Sequence, residues 1–342
     1  MNKYVDLNKF GDFEPVNVQS LVLNKFHTED LDFHAKLFDG IELEAVQLSP
    51  GAFKGSLFFA LVDKLSFHVS HCAQALEKRI EVHPDKFMFC ICLCEDCSKA
   101  ILGITDTEPW IYVLPPGGKA VATTSVDCSL LIMTVDCEEL LTHDNLTPEV
   151  RNWFHKLRRD GEFVRSARLT HRIREDAFLT IQSVKGVDSA NQSRTIKVVH
   201  QAMMSSISTC FSLEWLERGE FAVIHRSPAL ERFLKARNLI AEHAVNLGHD
   251  ISQALSKLGS KRSLEQAFAL HTNMGPRSYA RIIRLHKARR KLRDERYRDE
   301  SIGNIAAQEG FWDWSRFTGY YSKHFGELPS ETREKSTTQS PN

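Results

Sequence analysis

The chain has 342 residues, enough for two domains that each bury a core. Hydrophobic residues make up 42% and charged residues 26%, ordinary for a globular protein, and no apolar run reaches membrane-spanning length. The Lys/Arg and Asp/Glu totals cancel at 44 each, yet from Pro228 to Asn342 there are 20 basic side chains against 13 acidic ones. A basic tail on an acidic partner region is expected where only the tail meets a polyanion. The opening Met1-Asn2-Lys3-Tyr4-Val5-Asp6-Leu7-Asn8 lacks the apolar core of a secretion signal, which predicts a cytoplasmic protein with reduced thiols.

Residues 1–140 read mainly as strands. Apolar runs such as Phe87-Met88-Phe89-Cys90-Ile91-Cys92-Leu93 and Leu130-Leu131-Ile132-Met133-Thr134-Val135 alternate with turn signals. The turns are marked by Ser49-Pro50-Gly51, His83-Pro84-Asp85 and Pro115-Pro116-Gly117-Gly118. Strands at short spacing without intervening helices predict a small β sandwich or barrel.

The period then changes to that of helices, at Pro148 to about Arg159, Arg165 to about Ser183, and Ser193 to about Arg218, with a loop at 185–194. Val199, Met203, Ile207 and Phe211 form an apolar stripe that suits packing on the β domain or on a second subunit. Arg226-Ser227-Pro228 marks the domain boundary, since Pro fits the first turn of a helix. The expected organisation is therefore a sensor and dimerisation domain at 1–227, β-rich to 140 and helical at 145–218. A helical domain at 228–335 and a disordered tail at 336–342 follow.

Within the helical domain, two helix-turn-helix units flank a basic helix. In the second unit Ser301 caps a short helix carrying Ile302, Ile305 and Ala306 on one face. Gly310 can turn the chain with positive φ, Phe311 plugs the junction, and a further helix runs from about Asp313 to His324. Phe317, Tyr320, Tyr321 and His324 would face inward, and a second helix so presented fits the DNA major groove. Its outward face holds Trp314, Ser315, Thr318, Gly319 and Ser322, with Arg316 and Lys323 at the margins for phosphates. A packed Trp314 under the neighbouring loop is the plainer alternative.

In the first unit Ala254, Leu255 and Leu258 imply a helix, Ser260 a cap, and Leu264, Ala267 and Phe268 the buried side of the next helix. Arg262, Glu265, Gln266 and Ala269 face outward, and Arg, Gln and Glu match guanine, adenine and cytosine edges respectively. Asn273 closes that helix. Between the units, Pro276 to about Arg293 forms one helix whose exposed side carries Arg281, Arg284, Lys287, Arg289, Arg290 and Lys291. Some of these suit phosphate contact, while Arg284 and Arg289 suit holding the subdomains together.

The run Arg284-Leu285-His286-Lys287-Ala288-Arg289-Arg290-Lys291-Leu292, then Ser301-Ile302, Ile305-Ala306 and Gly310-Phe311, resembles the AraC/XylS regulators. So does the ending Phe317, Tyr321, Phe325-Gly326-Glu327-Leu328-Pro329-Ser330, and the likeness spans roughly residues 230–335. Gln253 and Asn273 depart from the family pattern, where an apolar residue and Gly are usual. More loosely, Leu48-Ser49-Pro50-Gly51-Ala52-Phe53-Lys54-Gly55, a central Pro-Pro-Gly and Gly310-Phe311-Trp312 are similar to the ethanolamine-regulator-like branch. The resemblance implies an α+β chain: a cupin-like β-roll with helices for ligand sensing or dimerisation, then an all-α double helix-turn-helix domain. It implies a sequence-specific, DNA-binding transcription regulator, an effector-responsive activator of a nearby operon, found with the nucleoid. Double-stranded DNA, a small-molecule effector, RNA polymerase and a second copy of the chain are the partners it implies. The two recognition helices would enter successive major-groove segments roughly 34 Å apart.

Two alternatives stand beside this reading. Cys90, Cys92 and Cys94 alternate and Cys94-Glu95-Asp96-Cys97 forms a CxxC, so a thiol- or metal-responsive regulator could use Cys90 to Cys97 with His68, His71 or Cys72. Cys is also a common small buried residue in strands. The other alternative is a small-molecule-binding β-barrel with an accessory helical domain. No phosphate-cradling Gly loop, HExxH or nucleophile elbow is present, so neither a catalytic set nor a metal or cofactor is expected.

Overall fold

The computed structural model describes residues 16–18, 20–94, 108–185, 189–224, 227–243 and 249–338. The chain divides into two compact units. One comprises residues 1–45, 54–73 and 78–225, the other 46–53, 74–77 and 226–342. Two short segments from the strand-rich half thus belong by packing to the helical unit.

The first unit holds an eight-stranded antiparallel sheet in the order β1 (Val16–Val18), β2 (Leu21–Thr28), β4 (Gly55–Val62), β5 (Leu65–Cys72), β10 (Cys128–Asp136), β7 (Lys86–Cys92), β8 (Trp110–Leu114), β11 (Glu162–Arg165). A three-stranded sheet follows the order β3 (Ile41–Gln47), β6 (Leu76–Val82), β9 (Lys119–Thr124). Strand β11 lies beyond residue 140, where the sequence pattern had already turned helical.

The long apolar runs now have a cause. Successive strand residues point to opposite faces, and both faces of the large sheet are covered. On β10, Leu131, Met133 and Val135 join a core shared with the helices, while Cys128, Leu130 and Ile132 join Met88, Cys90, Trp110, Tyr112, Ile41 and Ile80 between the two sheets. The helical layer is α2 (Cys137–Thr142), α3 (Pro148–Lys156), α4 (Ala167–Ser183) and α5 (Ser189–Arg218); α1 (Leu31–Ala35) lies between β2 and β3 in sequence. The α5 stripe packs on its own unit: Met203, Ile207 and Phe211 are buried in that core with Val199 against it. The loop expected at 185–194 is shorter, since α5 already starts at Ser189.

The second unit contains α6 (Pro228–His243), α7 (His249–Leu258), α8 (Lys261–Thr272), α9 (Pro276–Arg293), α10 (Ile302–Gln308), α11 (Trp314–Phe325) and α12 (Pro329–Thr338). Helix α12 extends to Thr338, into the segment expected to be unstructured; residues 339–342 lie outside the described ones. Two cores divide the helices. Phe233, Ala236, Ile240, Leu264, Phe268, Tyr279 and Ile283 cluster with Leu48 and Ala75 from the two short segments. Leu285, Ala288, Leu292, Ile305, Ala306, Phe317, Tyr321 and Phe325 form the other, so α9 contributes to both.

Candidate nucleic-acid interface

Helices α7 and α8 make the first helix-turn-helix unit, α10 and α11 the second. Ser260 has extended backbone and its hydroxyl accepts from the Ser263 amide at 3.2 Å, satisfying one of the orphan N–H groups that start α8. Asn273 ends that helix at φ +56°, its N–H donating to Ala269 O at 3.0 Å. Asn carries the left-handed cap here in place of Gly.

In the second unit Ser301 accepts from Asn304 N at 3.1 Å and Asp313 from Arg316 N at 3.0 Å, starting α10 and α11. Gly310 takes φ +77° between them, and Phe311 N donates to Ala306 O at 2.9 Å, drawing the next helix across Ala306. Gly326 closes α11 at φ +73°, and an added Cβ there would lie 2.8 Å from the Ala52 backbone nitrogen.

The caps fix which faces are free. On α8, Leu264, Ala267, Phe268 and His271 are buried, leaving Arg262, Glu265, Gln266 and Ala269 exposed along one face. On α11, Phe317, Tyr321, His324 and Phe325 are buried, a stripe at i, i+4, i+7 and i+8. Trp314, Ser315, Arg316, Gly319 and Lys323 are exposed, and Thr318 and Ser322 are half-buried. Trp314 is 51% exposed, with its ring centroid 5.8 Å from that of Phe317, so it is only partly packed.

Tyr320 departs from expectation. It is exposed rather than inward, because i+3 falls at the margin of a stripe already filled by Phe317 and Tyr321, and the Arg281 guanidinium covers its ring at 4.4 Å from the centroid. Sequence reasoning also left Trp312 out of the site, although it is 86% exposed in the turn leading into α11. A tryptophan in a turn between helices, with no core to enter, was the signal.

The basic helix α9 resolves into named contacts. Arg289 pairs with Glu327 at 2.9 Å and covers the Phe325 ring, Arg284 donates to Gly310 O at 3.2 Å over Phe311, and Lys291 reaches Glu309 at 2.9 Å. Lys287 donates to Ala241 O at 3.0 Å. These cations tie helices together. Arg290 is the member of the run that stays exposed.

Several of the described thiols lie close together in the first unit. Cys90 and Cys92 lie between the sheets and Cys97 falls outside the described residues. His68 Nε2 accepts from Asp39 N at 2.8 Å, and His71 Nδ1 lies 3.0 Å from Ser129 Oγ. Among the described residues no group of three His, Cys, Asp or Glu is arranged to hold a metal ion.

Known proteins agree with the helical geometry. Residues 258–335 match the family model described as "Helix-turn-helix domain". The chain is 29% identical over 234 residues to XylDLEGF operon transcriptional activator 1 of Pseudomonas putida, covering 65% of this chain and 66% of that protein. It is 36% identical over 75 residues to the HTH-type transcriptional activator RhaS of Escherichia fergusonii, covering 22% of this chain and 26% of RhaS. Among solved structures, the AraC-like transcriptional activator CuxR aligns at 12% identity and a TM-score of 0.36, over 78% of this chain and 95% of CuxR. No helix among the described residues is long and apolar enough to cross a membrane.

Proposed function

Because the chain belongs to the AraC/XylS family of transcription regulators, we propose that it binds double-stranded DNA through the outward faces of α8 and α11 and activates transcription. The family regulates transcription and its members are not enzymes. The observation that carries the reading is the pair of capped helices, each with one face in a core and the other free. Arg262, Glu265 and Gln266 read bases in one major-groove segment. Trp314, Ser315, Thr318 and Ser322 read the next, Gly319 lets the α11 backbone approach, and Arg316 and Lys323 meet phosphates.

The first unit acts as sensor and dimerisation domain for a small-molecule effector. The protein works in the cytoplasm on the nucleoid, where the bound activator meets RNA polymerase. The thiol-responsive alternative is not favoured: His68 and His71 are engaged with Asp39 and Ser129. A ligand-binding β-barrel with an accessory helical domain is not favoured either, since it leaves two matched reading faces without a role.

Genome-wide mapping of bound DNA, followed by salt-dependent binding at the strongest site, tests the proposal. A shared sequence motif and affinity that falls with salt are expected; binding without sequence preference would overturn it.

A further inference from the structure

Helix α11 has two unlike flanks beside its buried stripe. By helical spacing Arg316, Tyr320 and Lys323 fall at i, i+4 and i+7 and share one side, while Thr318 and Ser322 share the other. Arg316, Tyr320 and Lys323 are exposed. The middle position of that flank carries no charge of its own, and another helix supplies one. The guanidinium of Arg281, on α9, lies over the Tyr320 ring at 4.4 Å from its centroid. Arg316, Arg281 and Lys323 thus make a row of three cations over about 10 Å of helix. Arg316 also reaches Asp313 at 3.4 Å, a solvent-exposed pair that leaves its charge available.

Arg281 differs from the other cations of its helix. Arg284, Lys287, Arg289 and Lys291 each reach a carbonyl or a carboxylate on a neighbouring element. Among the described residues no carboxylate pairs with Arg281 and no acceptor takes its N–H groups; it meets an aromatic ring instead. Its charge is felt next door: burial holds the Arg284 guanidinium below its ordinary range, and Arg281 lowers it further. Stacking on a ring fixes the plane of a guanidinium and leaves its edge N–H groups unspent, and that fork matches two oxygens of one phosphate.

We propose, on the reading that α11 enters a major groove, that Arg281 is a phosphate clamp held in place by Tyr320. It grips a backbone phosphate of double-stranded DNA between those met by Arg316 and Lys323. Tyr320 is a positioning residue, whose ring sets the plane of the guanidinium and reads no base. A contact of this kind fixes the register of α11 along one strand, and base selection stays with the outward face of the helix.

Equilibrium binding of the full-length protein tests the clamp, on a duplex with its strongest mapped site and on a scrambled duplex, across a salt series. Arg281→Gln should weaken both by the same factor, severalfold at low salt, and flatten the plot of log K against log salt by about one. Tyr320→Leu keeps every charge yet should lose affinity in the same uniform way. Tyr320→Phe keeps the stack and should bind as wild type. Arg290→Gln controls for net charge: nine positions on, it points to the opposite side of α9 and should flatten the slope far less. Single methylphosphonate linkages, each removing one phosphate charge, locate the contact. One linkage in the α11 segment should weaken wild type and leave Arg281→Gln unaffected. An unchanged salt slope in Arg281→Gln, or a methylphosphonate profile identical to that of wild type, would overturn the clamp, while sequence-specific binding would leave the reading of α11 standing. Should Arg281→Gln fail to fold, wild-type affinity in Tyr320→Leu, altered at an exposed side chain, would overturn it equally. Wild-type binding without sequence preference would remove the reading of α11 and the clamp together.

Discussion

Glu77 and Arg237, 160 positions apart, form an ion pair buried inside the helical unit, at 1% and 3% exposure. Arg237 Nε donates to Glu77 Oε1 at 2.9 Å, a second guanidinium nitrogen shares that oxygen, and Tyr279 OH donates to Oε2 at 2.7 Å. Burial and the adjacent carboxylate hold the Tyr279 phenol well above its ordinary range, so it donates throughout the neutral range. Glu77→Ala would leave a guanidinium buried without counter-charge, and is expected to destabilise the unit by about 3–5 kcal/mol. Replacing the pair together, Glu77→Leu with Arg237→Met, should cost far less. Denaturant unfolding of the single and double variants checks this; a single-variant loss below about 1 kcal/mol would contradict it.

The same relationship predicts the behaviour of a fragment. A chain starting at Pro228 lacks Glu77 and also Leu48 and Ala75, which share a core with Phe233 and Tyr279. It also lacks Gln47, whose amide donates to His324 O at 3.0 Å, and whose own carbonyl lies 3.1 Å from both His286 Nε2 and His324 Nε2. Hydrogen exchange across α9 should be markedly faster in the fragment than in the full chain. Equal protection would show the two segments to be dispensable.

Four buried histidines set a pH dependence. Burial lowers His34 and His68 to about 3 and His324 to about 4, and pushes His286 well below its ordinary value. Each has a folded pKa below the unfolded 6.5, so the unfolded chain binds more protons as pH falls from there. Their contribution to stability is therefore complete above pH 6.5 and is lost on acidification toward 4 and below. Each should give a slope of up to about 1.4 kcal/mol per pH unit in that window, read from denaturation midpoints between pH 4 and 7. A flat profile would mean the rings are charged or hydrated when folded.

How much of this was legible depended on range. The caps Ser260, Ser301 and Gly310, and Asn273 as a left-handed terminator, act on groups within four residues, so local sequence sufficed. Strand β10 was legible because both of its faces are apolar. Pairing between residues 77 and 237 left no local trace, because the partners lie 160 positions apart in the chain. The basic run on α9 read as a free stripe because a charge pattern cannot name its partners; Glu327, Glu309 and Gly310 come from later elements. Tyr320 was misplaced by one helical step at the edge of the buried stripe.

Gly319 separates binding from folding. It lies inside α11 with open space where a Cβ would point. Gly319→Ala should stabilise the helix by about 0.5–1 kcal/mol. If the α11 backbone approaches DNA closely, the same change should weaken specific binding severalfold. Parallel thermal unfolding and binding titrations check both signs; tighter or unchanged DNA binding would remove close approach as the reason for this glycine.

In the proposed complex α8 and α11 each read one segment of a DNA site. Footprinting of the full-length protein on its strongest mapped site tests it most directly, with Arg262→Ala and Trp314→Ala alongside wild type. Both residues are exposed, so folding should be unaffected, and each substitution should cost about 1–3 kcal/mol of specific binding. Two protected major-groove segments about one turn apart are expected, with Arg262→Ala losing protection and base preference in one and Trp314→Ala in the other. A single protected segment, or two variants that weaken binding uniformly on every sequence, would contradict it.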